Sequence, residues 1–133
     1  MTRMNATVKA LWVDDLRNTP HKQIKSLLCD SGGFCCLGRL TDLYINSDAN
    51  VDKEQWIESD VPGVKKFSGK FVLLSDKVKD WAGLTIGEGA RVIVPKHVNV
   101  STQIRERGSA PLSLLNDHGL TFHELADIIE EQL

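Results

Sequence analysis

The C-terminal segment constrains the fold of this chain more than any other stretch, because it encodes two helices and the turn between them. Ser109 and Pro111 start the apolar run "PLSLLND", and Gly119 follows where a helix would end in a left-handed conformation. Thr121 and Glu124 have the T-x-x-E spacing of a capping box. The apolar stripe of the second helix consists of Phe122, Leu125, Ile128 and Ile129. We therefore predict a C-terminal helical hairpin that closes the core.

The N-terminal third predicts two more helices on either side of a tight reversal. Asn5 or Thr7 can cap a first helix, and Pro20 ends it. The turn residues "DSGG" separate the apolar segments 26–29 and 34–37, which is typical of a hairpin. The predicted inward residues are Val8, Leu11, Trp12 and Leu16 in the first helix, and Cys36, Leu40, Leu43 and Tyr44 in the second.

The middle of the chain has weaker signals. Residues 46–70 are polar and rich in turn residues, so we predict a long loop with one short strand over 55–57. Further strands are predicted over 71–74 and, buried, over 91–94. Between these two strands, Ser75 and Gly83 bound a short helix.

The basic segment 96–109 is predicted to be a loop or an edge strand. Taken together, the segments predict an α+β fold in a single domain spanning 1–133, with a short sheet flanked by N-terminal helices and the C-terminal helical hairpin. A chain of 133 residues with 41% hydrophobic residues can bury one modest core.

Charge and hydropathy exclude several classes of protein. The formal net charge of −2 gives no bulk attraction to nucleic acid or to an anionic membrane. No apolar run is long enough to span a bilayer, and the first residues lack a signal-peptide core. We therefore expect a cytoplasmic protein, whose three cysteines would be reduced thiols.

The cysteines are interpreted as core residues. Cys35 and Cys36 are adjacent and Cys29 lies six residues earlier, so the spacing is not that of a zinc site. No histidine lies close in sequence to act as a base for a catalytic thiol. We predict no metal and no catalytic residue, while a cysteine-dependent enzyme acting on a small substrate stays open as an alternative.

Five residues around the reversal form the predicted ligand site: Arg17, Gln23, Lys25, Phe34 and Arg39. Guanidinium groups bind phosphate bidentately and an aromatic ring offers a stacking face, so the set suits an anion or a nucleotide. Further basic residues occur at 65–79 and 96–107. The chain has no Walker loop and no G-x-G-x-x-G motif, so we predict no cofactor.

Two groups of acidic residues bear on DNA binding and on metal binding. From Asp117 onward every charged side chain is acidic, and phosphate would repel such a helix, so we do not expect a DNA-reading helix-turn-helix. Asp14 and Asp15 are neighbours on the first helix and point about 100° apart. We predict that this pair forms a solvated face and does not hold a metal.

Several segments together are similar to an uncharacterised family of small bacteriophage and prophage proteins. The resemblance rests on "FCCLG", on "LLSDKVKDWAGL" and on "LSLLNDHGLTFHELADIIEEQL". Arg39 and Thr41 depart from the pattern, which has an aliphatic residue and a third cysteine at these places.

The resemblance implies an accessory protein in the host cytoplasm that acts by binding. Its partner would be a signalling nucleotide that it sequesters or a host defence protein that it counteracts. A nucleic-acid-associated phage protein is a further alternative, and self-association into a homo-oligomer stays open.

Overall fold

The computed structural model describes residues 3–133, which contain six helices and six short strands. The helices are α1 (Ala6–Asn18), α2 (Cys36–Ile45), α3 (Asp76–Ala82), α4 (Thr102–Arg107), α5 (Leu112–Asp117) and α6 (Phe122–Gln132). The strands are β1 (Cys29–Asp30), β2 (Gly33–Phe34), β3 (Ile57–Glu58), β4 (Val64–Lys66), β5 (Arg91–Ile93) and β6 (Ser109–Pro111). The predicted α+β fold is confirmed.

Four strands form an antiparallel sheet in the order β2-β1-β4-β3, and β5 and β6 form a separate antiparallel pair. Cys29 lies opposite Phe34 in the β1–β2 hairpin. The Asp30 carboxylate accepts hydrogen bonds from the N–H groups of Gly32 and Gly33 at 2.6 and 3.0 Å, and so stabilises the turn. The hairpin predicted around "DSGG" is therefore confirmed.

Helix α1 packs against α6 and α2, and residues of α3, α5 and β5 complete the core around them. Trp12 is fully buried and its Nε1–H donates to the carbonyl of Cys36 at 3.0 Å, which joins α1 to the start of α2. Leu11, which we predicted to be inward, is 48% exposed, and Val13 is buried instead. The buried stripe of α1 centres on Trp12 and Leu16, and Leu11 lies outside it on the helix circumference.

The C-terminal hairpin follows the sequence pattern closely. The Thr121 hydroxyl accepts from the N–H of Glu124 at 3.1 Å, and the Glu124 carboxylate accepts from the N–H of Thr121 at 3.0 Å. Gly119 has a φ of +103°, as expected for the residue that turns the chain between α5 and α6. One boundary differs: residues 109–111 form β6, and the helix begins at Leu112.

Three segments in the middle of the chain differ from their predicted structure in whole or in part. The 46–70 loop contains β3 and β4, half of the four-stranded sheet, although its predicted strand 55–57 does overlap β3. Segment 71–74 is not a strand, and of its side chains only Leu74 is buried. Segment 96–109 contains the helix α4, which Ser101 caps by accepting from the N–H of Ile104 at 3.3 Å.

Strand β5 is buried on one face only. Val92 is buried, whereas Arg91 and Ile93 are exposed. The strand therefore has the alternation of a half-exposed pair, whereas we predicted burial on both faces.

Candidate functional site

Arg39, one of the five predicted ligand residues, lies inside the protein. Its guanidinium donates to the Asp15 carboxylate at 2.9 and 2.7 Å and to Asp42 at 2.9 Å. Its side chain is 5% exposed and stacks on Phe34, with 4.6 Å between the guanidinium carbon and the ring centroid. Burial alone would lower the pKa of Arg39, but the hydrogen bonds and charges of the two aspartates raise it above its ordinary value. The Arg39 charge is therefore neutralised within the molecule.

The same ion pair corrects the interpretation of the first helix. Asp15, which we predicted to be part of a solvated face, is a partly buried partner of Arg39 with a side chain 14% exposed. Asp14 alone keeps the predicted exposure. The sequence could not indicate this difference, because Arg39 lies 24 residues away along the chain.

Arg17 also has internal partners. It pairs with Asp127 at 2.7 Å and with Glu130 at 3.0 Å, and both acids belong to α6. Hydrogen bonds to Glu130 and Asp127 raise the pKa of Arg17, and the bond from Arg17 lowers the pKa of Glu130. An anionic ligand at Arg17 would have to displace two carboxylates. The pair instead joins α1 to α6.

Gln23 is part of a hydrogen-bond network around the "LND" motif. Its amide donates to the Asn116 side chain at 2.9 Å and to the carbonyl of Leu120 at 2.8 Å. Its carbonyl accepts from the N–H of Phe122 at 2.9 Å. Asn116 is 1% exposed and accepts from the N–H of Cys36 at 3.1 Å. Gln23 therefore holds three segments together through both ends of its side chain.

Lys25 has a free side chain. It is exposed and forms no ion pair within residues 3–133. It lies at a cavity of about 200 Å³ that Gln23, Asn116, Gly119 and Leu120 also line. Ligand pockets usually measure about 300 Å³ or more, so this cavity is small for a nucleotide.

Phe34 belongs to a row of aromatic rings that leads from β2 to α3. Its ring contacts His21 at a centroid distance of 5.0 Å and Trp56 at 6.0 Å. The row then continues through Phe67, Tyr44 and Trp81, with centroid distances of 6.1, 6.0 and 5.4 Å. Edge-to-face pairs at such distances stabilise a core. Of the five predicted residues, the structure brings Phe34 and Arg39 into direct contact, and the assignment of all five to one ligand site stays a prediction.

The three thiols lie in the core. Burial raises the pKa of Cys29 and of Cys35 to about 11, and it raises the pKa of Cys36 well above its ordinary value. The Cys35 sulfur caps α2 by accepting from the N–H of Gly38 at 3.4 Å. These thiols are protonated at neutral pH, which makes them poor nucleophiles. Among residues 3–133 no three His, Cys, Asp or Glu side chains are grouped to hold a metal ion.

Two glycines of the segment "GGFCCLG" lie where another backbone segment passes very close. A Cβ atom at Gly38 would lie 1.7 Å from the carbonyl oxygen of Leu28, and one at Gly33 would lie 2.1 Å from that of Lys22. Two backbone segments thus approach the corner too closely for any side chain. The motif serves packing at this corner.

The outer face of the four-stranded sheet carries an exposed apolar groove that our sequence analysis did not identify. The groove measures about 230 Å³ and lies between the β3–β4 hairpin and residue Phe71. Val61 and Phe71, both among its lining residues, are 59% and 47% exposed. Val64 and Lys66 of β4 also line it. Ile57 is 57% exposed and lies opposite Lys66 in the sheet, so its side chain extends the same face.

We call this region the β3–β4 surface and define it by Ile57, Asp60, Val61, Val64, Lys66 and Phe71, with the exposed Lys70 next to Phe71 in the chain. Lys66 and Lys70 have no ion-pair partner in the described part of the chain. Two turns build the surface, at Pro62–Gly63 and at Ser68–Gly69, and both glycines have φ values near +80°. Both dipeptides are typical of turns, and they are the feature of the sequence that could have indicated this surface.

None of the helices within residues 3–133 combines the length and the apolar character needed to cross a membrane.

Comparison with known proteins gives a family but no function. A family described as a domain of unknown function, DUF8296, matches residues 4–133, and the chain belongs to it. The expectation of an uncharacterised family is thereby confirmed to that extent. No curated protein and no solved structure matches the chain.

Proposed function

We propose that this member of the DUF8296 family is a binding protein whose β3–β4 surface recognises a partner protein with an apolar, acidic contact area. The observation that carries the proposal is the exposure of Val61 and Phe71 beside the unpaired Lys66. Contiguous apolar side chains rimmed by polar groups are typical of protein-binding sites. Lys66 and Lys70 outnumber Asp60, whose carboxylate also lines the groove, and would attract an acidic partner and orient it.

The ion pairs that the predicted ligand residues form within the chain favour a protein partner over a nucleotide. Arg17 and Arg39 are the residues that would bind phosphate bidentately, and their guanidinium groups are held by carboxylates of the same chain. Lys25 is available, but its cavity of about 200 Å³ is small. Nucleotide sequestration is therefore the second candidate, with Lys25 as its remaining cation.

The phage context is part of the proposal. The resemblance to small phage proteins favours a host protein as the partner, and a component of a defence system is the version that we put forward. The cysteine-dependent enzyme is disfavoured, because the thiols are buried and their pKa values are raised.

Affinity capture from host-type cells with matched variants tests this function. Phe71→Ser combined with Val61→Ser removes the apolar contact, and we expect at least a tenfold loss of the captured protein. Val51→Ser is the matched control, because Val51 is 80% exposed and lies outside the β3–β4 surface. Lys66→Glu with Lys70→Glu should weaken capture in a salt-dependent manner, whereas Lys96→Glu should not.

The result that would overturn the proposal is capture that the double serine variant leaves unchanged. Native mass spectrometry of the purified protein tests the nucleotide version in parallel. A bound nucleotide that Lys25→Ala abolishes would favour that second candidate.

A further inference from the structure

The side chain of Gln132, at the end of α6, covers the outer edge of β5. Its carbonyl accepts from the N–H of Ile93 and its amide donates to the carbonyl of Ile93, both at 2.8 Å. This reciprocal pair is the pattern that a residue of a neighbouring antiparallel strand would make. The Gln132 side chain thus occupies the place of one residue of a missing strand.

The hydrogen bonds of the β5–β6 pair show which groups face outward. The N–H of Val94 bonds to Gly108, and the N–H of Leu112 bonds to Ala90, so the even-numbered residues of β5 point toward β6. The backbone groups of Arg91 and Ile93 therefore point away from β6. In the part of the chain that the structure describes, the Gln132 side chain bonds to the N–H and the carbonyl of Ile93. The outward N–H and carbonyl of Arg91 form no hydrogen bond within that part of the chain.

This edge is complementary to itself. A twofold axis at Val92 would place Arg91 of one copy opposite Ile93 of the other, in pairs that each exchange two N–H···O bonds. The two short sheets would then join in the order β6-β5-β5-β6. We propose that the outer edge of β5 is an interface for a second copy of this chain, and that Gln132 competes for it.

Charge and apolar surface support a second copy as the occupant. In this register Arg91 of one copy lies beside the end of α6 in the other, where Glu131 is exposed and the helix dipole is negative. Ile93 is 70% exposed, and the joined sheet would cover part of it. A strand edge with unpaired backbone groups is a template for such pairing.

The presence of Gln132 makes the association weak. Forming the joined sheet breaks two hydrogen bonds of Gln132 in each copy and makes four between the strands, so the number of bonds is unchanged. Without the Gln132 amide, association breaks no hydrogen bonds of this residue, so the four bonds between the strands are a net gain. Self-association should therefore be weak in the wild-type protein and stronger in Gln132→Ala, by about tenfold or more in Kd.

Sedimentation velocity over a concentration series of the full chain tests the interface. We expect a monomer–dimer equilibrium that Gln132→Ala shifts toward dimer. Arg91→Pro should abolish it, because proline removes the outward N–H without touching the bonds to β6. Arg91→Ala is the matched control that keeps this N–H, and it should retain most of the association.

A Gln132→Ala protein that stays monomeric throughout the series would overturn the proposal, and so would a dimer that Arg91→Pro leaves intact. Amide hydrogen exchange of the wild-type protein gives a second readout that needs no substitution. Protection of the Arg91 amide should rise with protein concentration, and exchange independent of concentration would equally refute the interface.

Discussion

Arg39 holds Asp15 through two hydrogen bonds, of 2.9 Å from Nε and 2.7 Å from Nη2, and so joins α2 to α1 inside the protein. Asp42 accepts a third bond from the same guanidinium and also accepts from Trp56 Nε1 at 3.1 Å. An arginine that sequence patterns assign to a ligand thus belongs to a buried network between two helices. The stability of the fold should depend on it.

Removing the charge of Arg39 should destabilise the protein strongly. Arg39→Ala leaves Asp15 and Asp42 without their partner in a partly buried site, which costs about 3 kcal/mol of unfolding free energy. Urea denaturation measures this loss. Arg17→Ala is the comparison, because Arg17 also pairs with two carboxylates but at an exposed site, and its loss should be clearly smaller. Equal losses for both variants would contradict the buried role of Arg39.

Asn116 should be the most sensitive residue of the "LND" motif. Its side chain accepts from the N–H of Cys36 and donates to the carbonyl of Ile24 at 2.9 Å, so Asn116→Ala leaves one buried and one partly buried backbone group unpaired. We expect a loss of about 2–3 kcal/mol in chemical denaturation. Thr121→Ala removes only a helix cap and should cost about 1 kcal/mol. The idea fails if Asn116→Ala is no more damaging than Thr121→Ala.

Gly38 should not tolerate even an added methyl group. Alanine normally stabilises a helix interior relative to glycine, but a Cβ atom here would lie 1.7 Å from the Leu28 carbonyl oxygen. We expect Gly38→Ala to cost about 3 kcal/mol or to prevent folding, as measured by thermal denaturation and expression. Gly108→Ala is the control, since φ there is +73° but no atom lies within 4 Å of the added group. Gly108→Ala should cost about 1 kcal/mol, from backbone strain alone. A Gly38→Ala protein as stable as the Gly108→Ala protein would refute the close approach.

The parts of the fold that could be predicted are those specified by neighbouring residues. Thr121 and Glu124 are three residues apart, and their capping box needs no information from elsewhere. Strands β3 and β4 are two and three residues long, and their pairing depends on β1, more than 25 residues earlier, with Cys29 opposite Lys65. Their alternation is too short to detect in the sequence.

The candidate site was harder to predict than the fold, for a related reason. A basic residue looks the same in the sequence whether its partner is a ligand or a distant carboxylate. Arg17 finds its partners more than 100 residues away, in α6. The β3–β4 surface was hidden in turn-rich sequence, where Val61 and Phe71 lie on either side of two tight turns and line one groove only in the folded chain.

The buried thiols should make the protein less stable in alkali. Burial raises the pKa of Cys35 to about 11, whereas an unfolded thiol ionises at about 8.5. Between these values the unfolded state loses the proton and the folded state keeps it, so the contribution to stability is complete below pH ~8.5 and is lost as pH rises toward 11. Urea denaturation from pH 8 to pH ~10.5 should show a falling unfolding free energy, with a shallower slope in Cys35→Ser, where the hydroxyl can still accept from the N–H of Gly38.

The same burial should keep all three thiols unreactive to iodoacetamide at neutral pH until urea unfolds the chain. Rapid alkylation of the native protein would contradict the assignment of the thiols to the core. It would also favour the hypothesis of a cysteine-dependent enzyme.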